Sequence, residues 1–276
     1  MTYSPGIARL PIQKIRDAAI LEAFDELAVE EPLEIRLQYG PSGNRREQPI
    51  SITMRTPGHD AELATGFLFT EGIIHHASAI LRTETDRPNS ILVVLGENIP
   101  LDLGRLQRHF YTSSSCGVCG KSSLEALRTV CPAPQPAAAW QLDADLIYSL
   151  PDRLLQQQQL FETTGGLHAA ALFHQEGTFL SLREDIGRHN ALDKLIGSAL
   201  LEEKLPLSRH ILLLSGRACF ELIQKAAMAG IQIVAAVGAP SSLAVELAQE
   251  YDITLIGFLR DQRFNIYTGS GRIHIR

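Results

Sequence analysis

The stretch Ile211–Phe258 decides the fold: ILLLS (211–215), FELIQKAAMA (220–229), IQIVAAV (231–237), SLAVELAQEY (242–251) and ITLIGF (253–258). Short apolar runs alternate with segments whose apolar residues recur at helical spacing. The pattern predicts strand, helix, strand, helix, strand, and such alternation implies a parallel α/β sheet with right-handed crossovers. Ligands in such sheets bind beyond the carboxyl ends of the strands. Three segments are placed there: Gly216-Arg217-Ala218, Gly238–Ser242 and Leu259–Arg263.

Working outward, Leu167–Phe173 and Thr178–Arg183 read as strands around a turn at His174–Gly177, and Asn190–Leu201 as a helix. The first third reads as mixed α+β. Leu33–Tyr39 and Ile50–Arg55 alternate as strands across a Gly40–Asn44 loop. A helix is predicted over His59–Glu71, with Gly72 near its end, and a strand over Ile91–Leu95. Between the two regions lies Tyr111–Lys121 (YTSSSCGVCGK), which reads as a small, polar loop. A short helix over Ser122–Arg128 and a Pro/Ala connector over Cys131–Ala139 follow.

The 276 residues are 45% hydrophobic and 20% charged, as in a globular protein with a substantial core. A net charge of −6 argues against a general nucleic-acid surface but leaves room for a local basic patch. No run approaches the roughly 18 apolar residues that span a bilayer, and the first twenty lack a signal-peptide pattern. The expected address is therefore the cytoplasm. Four cysteines are too few for a disulfide scaffold.

Cys116-Gly117-Val118-Cys119 is the sharpest chemical feature. A thiolate favoured by Lys121 or a following helix can attack a sulfur donor, hold the sulfur as a persulfide and surrender it. Three other readings stay open. A structural zinc site needs two more ligands, from Cys131, Cys219, His168 or His189, none forming a second compact pair. A thioredoxin-like dithiol belongs at the start of its fold rather than after a hundred residues. Two loop thiols without a task are the third.

Arg183–Asn190 (REDIGRHN) packs two arginines, two acids and a histidine at a strand-to-helix junction. It reads equally as an anion or pterin pocket built on Arg188 and a helix N-terminus, or as a capped helix start with a surface ion pair. His168, in an apolar strand, is more often a core residue than a ligand. Arg217 suits a phosphate or a structural turn.

Together, TSSSCGVCG, TGGLHAAA, REDIGRHNALDK and SGRA, with EEPL, GFLFTEG and GFLR, resemble the FdhD family of formate dehydrogenase accessory sulfurtransferases, in order from about residue 28 to 268. The resemblance implies a small N-terminal α+β module (1–110), the CxxC loop and connector (111–140), and a cytidine-deaminase-like three-layer α/β domain (141–276), usually in a homodimer. It implies that a cysteine desulfurase loads sulfur onto Cys116, with Cys119 as partner. The sulfur then passes to the molybdenum bis(molybdopterin guanine dinucleotide) cofactor, a bound substrate, before that cofactor enters formate dehydrogenase. The cofactor-contact segment maps onto Phe258, Leu259, Arg260, Asp261, Gln262 and Arg263. No permanent metal is implied, and the deaminase pairing of H-x-E with P-C-x-x-C is missing. A cofactor-binding chaperone with a structural or zinc-binding CxxC is the alternative function.

Overall fold

Alternating apolar residues set the first sheet. In a computed structural model, which describes residues 6–97, 99, 101 and 140–275, β3 (Glu31–Tyr39) buries Leu33, Ile35 and Leu37 and pairs antiparallel with β4 (Arg46–Arg55). β6 (Ser90–Leu95) is buried along its whole length and runs parallel to β3, while β5 (Ile80–Arg87) pairs antiparallel with β6. The order is β4-β3-β6-β5. Helix α1 (Asp60–Thr70) follows β4 and packs Leu63, Ala64 and Leu68 into the core.

Ahead of this sheet, β1 (Ile7–Arg16) and β2 (Ala19–Ala28) form a hairpin of ten pairs that sequence reading missed. Its turn places Asp17 and Ala18 at φ 50° and 60°, a twist that Asn-Gly or Asp-Gly would have advertised. Leu10, Ile15, Ile20, Leu21 and Phe24 are all exposed, so no buried face imposes a legible alternation on it.

The second sheet has the order β13-β12-β11-β10-β8-β9. β8 (His168–His174) and β9 (Phe179–Asp185) form an antiparallel hairpin, and β10 (His210–Leu214), β11 (Ile233–Ala236) and β12 (Thr254–Arg260) run parallel as the opening stretch predicts. Successive residues of β10 face opposite cores. Leu212 and Leu214 join α1, α4 (Arg188–Leu201), α5 (Phe220–Met228) and α6 (Ser242–Glu250). Ile211 and Leu213 join α2 (Ala144–Leu155) through Ile147, Leu150 and Leu154. Helices on both faces explain why the strands read as unbroken apolar runs. Two further elements, α3 (Gln159–Thr164) and β13 (Arg263–Thr268), and the short parallel pair of β7 (Leu142–Asp143) with β14 (Ile273–His274), lie outside the sequence expectations.

The two sheets share one apolar core across the α1–α4 crossing. Two glycines set that crossing. A Cβ on Gly66 would stand 1.9 Å from the Asp193 carbonyl oxygen, and one on Gly197 1.9 Å from that of Glu62. Buried ions bolt the same layer. Lys225 Nζ (α5) donates to Thr70 Oγ1 of α1 at 2.8 Å and to both oxygens of Asp193 (α4) at 2.9 Å.

Candidate functional site

The carboxyl ends of the parallel strands are held side by side by backbone hydrogen bonds that continue past the strands. Gly238 N–H donates to Gly216 O at 2.9 Å, Ala218 N–H to Ala239 O at 3.2 Å, and Phe258 N–H to Gly238 O at 3.0 Å. The close approach needs glycine, because a Cβ on Gly238 would meet Gly216 O and Arg217 Cγ at 3.0 Å. A Cβ on Gly216 would meet His168 Nδ1 at 3.1 Å, so His168, at the start of β8, sits against the same loop.

Two helices begin here. Gly187 is the N-cap of α4, which puts Arg188 and His189 in its first turn; Cys219 is the N-cap of α5, which puts Glu221 in its first turn. The side chains meet across the gap. His189 Nε2 lies 3.3 Å from Cys219 Sγ and 2.7 Å from Glu221 Oε2, and Sγ and Oε2 are 3.9 Å apart.

The electrostatics are those of a thiolate–imidazolium pair. Burial pushes the Cys219 thiol up, but the hydrogen bond and charge of His189, a backbone N–H and Arg188 bring it down to about 7. Burial pushes His189 down, and its bonds to Cys219 and Glu221 reverse that and raise it to about 9. His168 is held below the usual imidazole range, first by burial and then by the charges of Arg188, His189 and Arg217. Arg188 Nε is buried with no hydrogen-bond partner among the described residues. The place is cationic, capped by two helix N-termini, and suited to an anion.

The rest of the Arg183–Asn190 junction is structural. Arg183 forks onto Glu62 of α1, Nε to Oε2 at 2.5 Å and Nη2 to Oε1 at 2.8 Å. Glu184 accepts the Leu160 and Phe161 N–H groups of α3. Asp185, wholly buried, pairs with Lys194 at 2.7 Å and accepts from Thr56 N–H. Asn190 donates to Met54 O at 2.7 Å. Of the eight residues in that motif, Arg188 and His189 are the two whose side chains enter the strand-end site.

Cys116, Cys119 and Lys121 lie outside the described residues, as do the helix over 122–128 and the connector. Phe258–Arg263 departs from the simple strand end that the sequence suggests. Phe258 takes φ 55° at an irregularity in the β12–β13 register, so β12 runs on through Arg260 and the turn falls at Asp261-Gln262, both at φ 53°. Leu259 is buried in the second core, whereas Arg260, Asp261, Gln262 and Arg263 are exposed. Phe258 adjoins the site through its bond to Gly238.

Sequence reading weighed Cys219 only as a spare zinc ligand and left Glu221 out. The available signal was A-C-F-E between a strand and a helix: a rare thiol at an N-cap, with an acid two residues on.

Comparison with known proteins agrees along the chain. The FdhD/NarQ family matches residues 28–274. Proteins named sulfur carrier protein FdhD include one from Streptomyces avermitilis, 48% identical over 97% of this chain and 96% of that protein. A second, from Mycolicibacterium paratuberculosis, is 51% identical over 90% and 92%. That of Sulfurisphaera tokodaii is 42% identical over 97% and 99%. The crystal structure of a formate dehydrogenase accessory protein from Desulfotalea psychrophila superposes with a TM-score of 0.76 at 26% identity, over 98% of this chain and all of that one. Family match, shared length and fold thus agree over most of the chain, and the chain belongs to the FdhD/NarQ family.

Proposed function

We propose that this protein is a sulfurtransferase of formate dehydrogenase maturation. The Cys116 thiolate attacks the sulfane sulfur of a cysteine desulfurase persulfide; the desulfurase thiolate leaves, and Cys116 holds the sulfur as a persulfide beside Cys119. The molybdenum bis(molybdopterin guanine dinucleotide) cofactor is the acceptor and a substrate. The reaction belongs to the cytoplasm.

The observation that carries this reading is the cationic strand-end site. Arg188, whose buried Nε has no hydrogen-bond partner among the described residues, and Arg217 stand beside two helix N-termini, which suits the phosphates of a dinucleotide. Phe258 adjoins the same loops, and the exposed Arg260 and Arg263 flank the hairpin turn that follows it, which supports Phe258–Arg263 as further contacts for a long anionic ligand. A homodimer belongs to the same reading, and the exposed apolar residues of the β1–β2 hairpin offer it a surface.

Intact-mass analysis after incubation with a desulfurase and cysteine tests the loading step. The wild-type chain should gain the mass of one sulfur atom, reversibly under reduction, and Cys116→Ala should gain none. An unchanged gain in Cys116→Ala would refute the assignment. The chaperone alternative also uses the anion site and predicts normal cofactor delivery without either thiol.

A further inference from the structure

We infer that His189, Cys219 and Glu221, none of them a CxxC cysteine, form a binding site for a divalent cation of the zinc class. The geometry carries this. One ring nitrogen, His189 Nε2, faces both Cys219 Sγ at 3.3 Å and Glu221 Oε2 at 2.7 Å, and sulfur and oxygen are 3.9 Å apart. A single N–H cannot point straight at both acceptors, whereas a cation among the three satisfies all of them. Zinc bonded at its usual lengths to nitrogen, sulfur and oxygen in a tetrahedron would set its donors about 3.4–3.6 Å apart. The separations of 3.3, 2.7 and 3.9 Å each differ from that spacing by less than about 1 Å.

A second observation points the same way. Glu221 Oε1 is buried and has no hydrogen-bond partner among the described residues. Leaving a buried carboxylate oxygen unmet is costly, and a metal bound at Oε2 leaves Oε1 facing the cation and reduces that cost. The thiolate and the carboxylate neutralise a divalent ion, and the positive charge left by Arg188 and the two helix N-termini is what calls for an anion beside it. Borderline nitrogen and sulfur donors favour zinc over magnesium or calcium, which take oxygen. The donors are rigidly placed: Cys219 and Glu221 share the first turn of α5, and His189 lies in that of α4. The described residues supply three ligands, and Arg188, which also reaches the Cys219 sulfur, favours an anion in the fourth position.

The test uses the full-length chain with Cys116, Cys119 and Cys131 all replaced by serine, which leaves Cys219 as its one thiol. Cobalt(II) added to the metal-free protein should bind one ion per chain and give the thiolate-to-cobalt charge-transfer and tetrahedral ligand-field bands. Zinc should displace it and erase the bands. Cys219→Ser in that background should abolish the charge-transfer band. Glu221→Gln, which keeps the thiol, should weaken zinc binding at least about tenfold, as loss of one of three protein ligands requires. No cobalt bands from a protein with a native circular-dichroism spectrum would mean that the cluster is an ion pair only, and the proposal fails. It also fails if the bands survive in Cys219→Ser. Since the CxxC is absent from the tested protein, neither outcome bears on the sulfur-transfer reading.

Discussion

At Glu62, burial pushes the carboxyl upward, but the hydrogen bond and charge of Arg183, followed by His59, bring it from its ordinary 4.5 to about 2. A carboxylate depressed by folding adds stability that is complete above its unfolded value and is lost as pH falls through its folded one. The contribution should therefore fade between about pH 5 and about pH 2, and Glu62→Gln should flatten the stability profile in that window. Urea unfolding at several pH values measures it; the effect should be about 1–2 kcal/mol, because the pair is partly solvated. Asp185 and Lys194 differ, since both are buried and 2.7 Å apart. Asp185→Asn strands an uncompensated cation and should cost about 3–5 kcal/mol, while Asp185→Asn combined with Lys194→Met, which keeps an acceptor for the Thr56 and Gly187 N–H groups, should recover part of that loss. If the double variant is as unstable as the single one, the pair does more than neutralise itself.

Helices α1 and α4 cross where two glycines remove the side chains that would hold them apart. Gly197→Ala inserts a methyl 1.9 Å from the Glu62 carbonyl oxygen and must push the helices apart. A loss of about 1–3 kcal/mol is expected, with a matching loss for Gly66→Ala, and thermal melts of the two variants check it. This crossing was not legible in the sequence, because a glycine in a helical pattern reads as a weak point rather than a contact. What was legible had a buried face: β3, β6, β8 and β10 to β12 all bury apolar side chains, and α1, α4, α5 and α6 show apolar spacing. The exposed β1–β2 hairpin has no such face. The candidate site was half legible. Arg188, Arg217 and His168 stood out in motifs, but only the fold brings His189 against Cys219, thirty residues away. Most of the junction motif turned out to serve packing, because an ion pair with α1 and hydrogen bonds to the α3 backbone carry no local sequence signature.

On the scale of the whole molecule, pairing and chemistry can be perturbed separately. Replacing Ile15 and Phe24 by glutamate puts charge on the exposed hairpin, and light scattering should then show the monomer mass, where the proposed homodimer predicts the dimer mass for the native chain. An unchanged dimer would place the interface elsewhere. Among the described residues no helix is long and apolar enough to cross a membrane. Cofactor anchoring should rest on Arg188, Arg217 and the helix N-termini, whose attraction for phosphate is independent of the CxxC thiols, while delivery needs a thiolate. The most direct measurement is formate dehydrogenase activity in a strain lacking this protein, complemented with the Cys116→Ser, Cys119→Ser chain. That chain should bind the cofactor nearly as the native one does yet leave the dehydrogenase inactive; wild-type activity from the double-serine protein would contradict sulfur transfer through this pair.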